Sequence, residues 1–117
     1  MEKQTSLEER FGKCPYATAQ SLISGKWAVL ILLYLADGPI RFNELLRKMP
    51  TMTHATLSVQ LKTLEESGLV QRTQYETIPP RVEYQLTEMG RKFGPVISAL
   101  ETWGNEYIEY LAKKEEP

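Results

Sequence analysis

The chain has 117 residues, which is enough for one domain with a modest core and too few for a second domain. Its hydrophobic share of 42% and charged share of 25% are ordinary for a globular protein, and no segment is low in complexity. The net charge of −1 and the pI of about 5.9 argue weakly against a nucleic-acid partner, because DNA-binding domains are usually basic.

The charge is nevertheless distributed unevenly. Residues 40–92 carry eight basic and six acidic side chains, a local charge of +2, while the remaining segments sum to −3. The basic excess therefore lies in the middle of the chain.

Two features predict a cytoplasmic protein with no membrane association. The longest apolar run, residues 28–36, is far shorter than the ~20 residues that cross a bilayer, and the polar opening residues lack a signal-peptide pattern. The single cysteine, Cys14, excludes an intrachain disulfide, in agreement with a reducing compartment.

Two helices are predicted to open the folded part. Residues 1–12 carry few apolar groups and predict a flexible arm. Pro15 suits the first position of a helix, so Cys14 is the expected N-cap of a short helix over residues 15–24. Residues 26–36 are apolar nearly all round, which predicts the central buried helix of the domain.

The next pattern is a helix-turn-helix. After a short extended piece at Ile40 and Arg41, residues 42–49 form an amphipathic pattern ending before a proline. Thr53 is the expected N-cap of a second helix, closed by Ser67 and Gly68. Its core-facing residues are Leu57, Leu61 and Leu64, and its opposite arc holds Ala55, Thr56, Ser58, Val59, Lys62 and Thr63.

A hairpin and a long helix are predicted to complete the chain. Residues 69–75 and 82–86 alternate apolar and polar side chains around a Pro-Pro turn, which predicts a two-stranded wing with a stiff tip. Thr87 begins a further helix, interrupted near Pro95. The terminal helix then carries an apolar stripe that a domain this small has little core to cover, so we expect a partner subunit on it. The stripe comprises Val96, Ile97, Leu100, Trp103, Tyr107, Tyr110 and Leu111.

These elements predict an α+β fold that is mostly α: a winged helix-turn-helix with a two-stranded β-hairpin wing and a long C-terminal dimerisation helix. We expect the domain to span residues 13–113, with a frayed tail over residues 114–117.

The chain resembles the HxlR-type winged helix-turn-helix transcriptional regulators of bacteria from Cys14 to Gly104. The segments that carry the resemblance are Cys14-Pro15, ISGKW (23–27), GPIRFNEL (38–45), QLKTLEESGLVQR (60–72) and PPRVEYQLTEMG (79–90). The resemblance implies a homodimer paired through its terminal helices, a palindromic double-stranded DNA operator, and no enzymatic activity. Family members often carry Lys or Arg where this chain has Ala55.

The second helix of the helix-turn-helix is the candidate reader of the major groove, the groove that admits a helix and distinguishes all base pairs. The alternative is a solvated helix face. Val59 has no structural reason to lie on the polar arc, and contact with a thymine methyl would supply one. The candidate DNA-binding residues are Thr53, His54, Ala55, Thr56, Ser58, Val59, Gln60 and Lys62 in the helix, and Arg72 and Arg81 in the wing.

Within this set, Thr56 and Ser58 suit bases or phosphates, Lys62 suits a phosphate, and Gln60 lies nearer the flank. Arg72 and Arg81 suit phosphates or the adjacent minor groove. The alternative for the two arginines is a cross-strand pair with Glu76 or Glu83, which solvent would keep weak.

Cys14 is the candidate for a chemically reactive side chain. A position at a helix N-terminus, with Arg10 and Lys13 nearby in sequence, favours its thiolate. The alternative is a buried thiol that acts as a small hydrophobe. Some members of the family that the chain resembles sense oxidants or electrophiles at a similar cysteine. Here a disulfide can join Cys14 only to another chain, and otherwise the switch would be a mixed disulfide or alkylation.

Other functions have less support in the sequence. One histidine and one distant cysteine supply no zinc ligand set, and no cofactor is expected. The aromatic residues at helical spacing predict core and dimer interface rather than a ligand pocket. The alternative function is a winged-helix module that binds protein without DNA, in keeping with the overall acidity and Ala55. A thiol enzyme built on Cys14 would lack a nearby base or a resolving cysteine.

Overall fold

A computed structural model describes residues 7–115. The expected flexible arm (residues 1–12) and frayed tail (residues 114–117) lie partly outside that range. The helices are α1 (Leu7–Arg10), α2 (Pro15–Ile23), α3 (Ala28–Leu35), α4 (Phe42–Arg47), α5 (His54–Glu66), α6 (Glu88–Arg91) and α7 (Gly94–Glu115). The strands are β1 (Ile40–Arg41), β2 (Val70–Tyr75) and β3 (Arg81–Leu86).

The core contains residues of α3 and of the inner face of α5. Ile31 and Leu32 of α3 are fully buried, as are the predicted α5 leucines, Leu57, Leu61 and Leu64. Burial of one leucine side chain contributes roughly 1.5–3 kcal/mol, so this row of three sets the orientation of α5 about its own axis. The predicted inner face of α5 is confirmed.

The prediction for α3 is right about its place and wrong about its extent. The helix begins at Ala28 rather than Lys26, with Trp27 as its N-cap residue. It is also not buried all round, because Leu30 and Leu33 are each 39% exposed. An all-apolar helix predicts burial only if other elements cover its whole circumference, and this chain has too few elements to do so.

The sheet has three antiparallel strands in the order β1-β3-β2. The predicted hairpin is confirmed, with β2 and β3 paired from Val70 opposite Leu86 to Tyr75 opposite Arg81. The extended piece at Ile40 and Arg41 pairs with β3 as the third strand, opposite Tyr84 and Glu83. Two residues are too few for a period-2 pattern, so the sequence did not predict their place in the sheet.

Local hydrogen bonds begin and end α5. The Thr53 side chain accepts a hydrogen bond from the Thr56 backbone N–H at 3.1 Å, which confirms the predicted N-cap. At the other end Gly68 has a φ of +83° and donates its N–H to the Glu65 carbonyl, while Leu69 N–H donates to the Leu64 carbonyl. This pair of bonds is a Schellman motif, and it turns the chain directly from α5 into β2.

The wing is also tied back to α5 from its far end. The Thr87 hydroxyl donates to the Gly68 carbonyl at 2.6 Å, and the Thr87 N–H donates to the Leu69 carbonyl at 3.0 Å. The Thr87 side chain in turn accepts a hydrogen bond from the Gly90 N–H and caps α6. The strands of the wing therefore leave from and return to the same end of α5.

The two ends of the described chain are both helical. Order begins before Cys14, because α1 forms one turn and the N–H groups of Lys13 and Cys14 both donate to the Arg10 carbonyl. Helix α7 has 22 residues and no buried side chain, which confirms a long terminal helix with an exposed apolar stripe. It remains helical to Glu115, beyond the expected end of the domain at residue 113.

In residues 7–115 no single helix has the length and apolar character to span a membrane. Only α2 and α3 taken together, bent by 83°, pass the same test of length and composition.

We predict that Thr53→Ala lowers the free energy of unfolding by about 1 kcal/mol, because the Thr56 N–H loses its hydrogen-bond partner at the start of α5. Urea denaturation monitored by circular dichroism measures the change. Thr51→Ala is the matched control, since Thr51 is exposed and makes no side-chain hydrogen bond among the described residues. Equal losses in the two variants would contradict the capping role.

Candidate nucleic-acid interface

The outer face of α5 exposes the small and basic residues that the sequence grouped together. Ala55, Ser58 and Lys62 are exposed, and Val59 is 62% exposed among them. Because the three leucines hold the opposite face in the core, these four side chains project from the domain. The surface is narrow and lacks long side chains apart from Lys62, so another molecule can approach the helix closely.

Two further candidates at the start of α5 are engaged within the protein. The Thr56 hydroxyl accepts a hydrogen bond from the Thr53 hydroxyl at 2.9 Å and is half-buried. His54 is exposed, yet its ring centroid lies 4.4 Å from that of Phe42, the first residue of α4. This tilted ring contact joins the N-terminus of α5 to the N-terminus of α4.

Gln60 points away from the surface of the other candidates. It is half-buried, and its Oε1 would lie 3.0 Å from a Cβ added to Gly25. The side chain therefore lies against the turn between α2 and α3. Its position on the helix flank was predicted, but periodicity did not reveal that it fills the space left by a glycine.

The two wing arginines differ in their surroundings. The Arg81 guanidinium lies 4.3 Å from the centroid of the Tyr75 ring, and its Nε is 3.6 Å from Glu83 Oε1. That Nε is buried and has no hydrogen-bond partner in the described chain, because 3.6 Å is an ion-pair distance beyond hydrogen-bond range. The pair with Glu83 runs along β3 rather than across the hairpin, so the cross-strand alternative was wrong in its geometry.

Arg72 is exposed, opposite Tyr84 in the register. Within residues 7–115 it forms no ion pair or side-chain hydrogen bond. Its charge is therefore available to a ligand, whereas the charge of Arg81 is partly offset by Glu83.

A cleft of about 800 Å³ separates α4 from the wing. One wall holds Arg41, Asn43 and Arg47, and the other is the hairpin tip from Thr77 to Val82. Sequence reasoning did not select Arg41 or Arg47 as site residues, although both contributed to the local basic excess. Their proximity to the wing follows from the pairing of β1 with β3, which the sequence did not predict.

Cys14 lies at the N-terminus of α2, as expected, and is half-buried. The backbone N–H groups of Ala17 and Tyr16 lower the pKa of the Cys14 thiol most. Burial opposes them by raising the pKa, and the Arg10 charge, the smallest effect, lowers it. The sulfur makes no capping hydrogen bond. The N–H groups therefore act mainly by stabilising the negative charge of the thiolate at the N-terminus of the helix. Lys13, expected to contribute, is not among the causes of the shift.

The aromatic residues fall into two groups. Trp27 and Tyr34 pack against the core from its edge. On α7 the rings of Trp103 and Tyr107 stack with centroids 5.4 Å apart, and Tyr107 and Tyr110 follow at 5.6 Å. These three form an exposed row on the apolar stripe. In the part of the chain that the structure describes, no group of three or more His, Cys, Asp or Glu side chains is arranged to hold a metal ion.

Comparisons with known proteins agree with this geometry. The family model described as HxlR-like helix-turn-helix matches residues 22–112. The uncharacterized HTH-type transcriptional regulator YdeP of Bacillus subtilis is 42% identical over 105 residues, covering 90% of this chain and 82% of YdeP.

Two solved structures are similar in fold and sequence. The redox regulator HypR in its reduced form has a TM-score of 0.80 at 37% identity, covering 86% of this chain and 99% of HypR. The reduced form of the transcriptional regulator YodB from B. subtilis has a TM-score of 0.72 at 34% identity, covering 80% of this chain and 93% of YodB. With its winged helix-turn-helix and long terminal helix, the chain belongs to the HxlR-like helix-turn-helix family of transcriptional regulators.

Proposed function

We propose that this regulator binds a palindromic operator as a homodimer, reads the major groove with α5, and responds to oxidants or electrophiles through Cys14. The proposal that α5 reads DNA rests on the exposed outer face of this helix, where Val59 is 62% exposed between small and basic side chains. An apolar side chain held out in this way suits a thymine methyl, and the small neighbours allow the helix to approach the base edges.

Each candidate in α5 and the wing has a proposed role that follows from its position. Ser58 and Val59 contact bases, and Lys62 contacts a phosphate from the next turn of the helix. Thr53, His54, Ala55 and Thr56 lie at the end of α5 that enters the groove, where Ala55 offers only its methyl group. Arg72 contacts a backbone phosphate from the wing, Gln60 supports the helix from its flank, and Arg81 approaches DNA together with the Tyr75 ring.

The dimer rests on the apolar stripe of α7. Six of its seven predicted residues are exposed in the single chain, and Ile97 alone packs against the core. Leu30 and Leu33 of α3 add exposed apolar surface. A stripe of this length, with three aromatic rings in a row, is more apolar surface than a soluble monomer normally leaves uncovered. Two-fold pairing through α7 would also match the symmetry of a palindromic operator.

The proposed switch is supported by the lowered pKa of Cys14 and by similarity to the redox regulator HypR and to the transcriptional regulator YodB, whose structure is of a reduced form. Both share more than 30% identity with this chain. A larger thiolate fraction at neutral pH makes this cysteine more reactive. Oxidation either joins two Cys14 sulfurs of different protomers with loss of two protons and two electrons, or forms a mixed disulfide with a small thiol. An electrophile instead adds covalently to the thiolate.

We predict that Lys62→Ala weakens binding to every DNA duplex to a similar extent and flattens the slope of log K against log salt by about 1 per bound protomer. Val59→Ala and Ser58→Ala should instead change the preference among selected operator sequences. Fluorescence anisotropy with a random duplex and with duplexes selected by the protein measures both effects. Lys113→Ala, at the far end of α7, is the control for charge. If the unmodified chain formed no salt-sensitive complex with any duplex, a protein-binding module would be the better assignment.

We predict that Trp103→Ala and Tyr107→Ala each raise the dissociation constant of the dimer roughly thirtyfold, the effect of losing about 2 kcal/mol at an interface hot spot. Sedimentation equilibrium measures the constant. Glu109→Ala and Thr102→Ala, on the opposite face of α7, are the controls and should leave it unchanged. A monomeric wild-type chain at micromolar concentration would refute pairing through α7.

We predict that diamide or a quinone changes operator affinity in the unmodified chain and leaves Cys14→Ser unaffected. Because its pKa is lowered in the folded chain, the rate of Cys14 alkylation should rise with pH with a midpoint below the usual thiol value of about 8.5. The same alkylation in urea should show the ordinary midpoint, since unfolding removes the N–H groups of Ala17 and Tyr16. An equal response in Cys14→Ser would exclude Cys14 from the switch.

A further inference from the structure

The cleft between α4 and the wing offers a second surface for DNA. We infer that it holds the sugar-phosphate backbone of one strand, with Arg41 and Arg47 as phosphate-binding residues. The inference rests on the proposed function and extends it beyond the outer face of α5. It assigns a role to two arginines that neither their sequence pattern nor the core explains.

Two of the three arginines that line the cleft lie on the α4 wall. Arg41 and Arg47 are exposed, and within residues 7–115 neither forms an ion pair or a side-chain hydrogen bond. Glu44 is the one acidic residue among those that line the cleft. On the opposite wall, Arg81 is already held by Glu83 and the Tyr75 ring. Arginine binds phosphate through two parallel N–H groups, so two unpaired arginines facing a groove suit a chain of phosphates.

The cleft is continuous with the proposed reading face of α5. Phe42 lines the cleft, and its ring centroid is 4.4 Å from that of His54, the first residue of α5. A DNA strand that borders the groove occupied by α5 therefore meets the mouth of the cleft next to His54. From there the strand can pass between α4 and the wing tip.

The walls of the cleft suit a nucleic-acid backbone better than a small-molecule effector. A small-molecule site buries most of its ligand among apolar groups, whereas the arginines here are exposed. The described residues also place no buried, unpartnered polar atom here apart from Arg81 Nε, which faces Glu83. Pro79 and Pro80 stiffen the wall opposite Arg41, so less conformational entropy is lost when a strand docks.

The test compares Arg41→Ala/Arg47→Ala with the unmodified chain on a random duplex and on a selected operator. We expect affinity for both duplexes to fall about tenfold or more, and the salt slope to flatten by about 1 for each arginine on each bound protomer. Arg41→Lys/Arg47→Lys should retain most of the slope, because it keeps the charge. Lys113→Ala/Lys114→Ala removes two charges from the end of α7 and should change neither quantity. Thermal melting confirms that each variant is folded.

A second measurement locates the strand directly. In a Cys14→Ser background, Asn43→Cys carries an azidophenacyl photocrosslinker into the cleft, and Asn105→Cys carries it to the exposed face of α7 as the matched control. We expect DNA crosslinks from position 43 and not from position 105.

Three results would overturn the inference: an unchanged salt slope in the alanine variant, a loss confined to the operator, or equal crosslinking from the two positions. The first or the last would mean that no strand lies in the cleft, and the second would mean that the arginines read bases. Each is distinct from failure of the proposed function, in which the unmodified chain would bind no duplex.

Discussion

Leu57, Leu61 and Leu64 are buried in the same core as residues of α3 and decide which side of α5 faces outward. The rest of the proposed reading surface depends on this burial, because rotating the helix by one residue would bury Ser58 and Lys62 and expose leucine. This burial also explains why the outer face can consist mostly of small side chains. The inner face supplies the stability of the helix, so Ala55, Ser58 and Val59 are available to contact a ligand.

The wing is positioned by hydrogen bonds at its base together with Val70, Tyr84 and Leu86, which are buried in the core. The Schellman motif at Gly68 fixes where β2 departs from α5, and the bonds from Thr87 to Gly68 and Leu69 fix where β3 returns. Pairing of β1 with β3 then brings the N-terminus of α4 beside the hairpin. Helix, wing and cleft thereby carry three exposed arginines that form no ion pair within residues 7–115, Arg41, Arg47 and Arg72, in a chain of net charge −1.

Other parts of the molecule carry the remaining proposed tasks. Helix α7 has no buried side chain, so its aromatic row is available to a second protomer. Cys14 lies at the start of α2, where backbone N–H groups favour the thiolate. Reading, pairing and sensing would thus occupy different elements. A chemical change at Cys14 would need to act through α2 or through the dimer geometry to reach the operator.

Hydrophobic periodicity and residues that form local hydrogen bonds were enough to predict most of the secondary structure from sequence alone. The leucine spacing predicted the inner face of α5, alternation predicted the hairpin, Thr53 and Thr87 marked helix starts, and the family was recognisable from its motifs. These features are local, because each depends on residues within a few positions of one another.

Only the tertiary structure decided which neighbours the longer side chains and the shortest strand would meet. It placed Gln60 against Gly25, laid Arg81 over Tyr75, left Leu30 and Leu33 of α3 exposed, and set Arg41 and Arg47 across a cleft from the wing tip. A sequence pattern shows that a helix face is apolar without showing what covers it. A flexible arginine likewise has many rotamers, and its partner is chosen by the surfaces that the fold brings within reach.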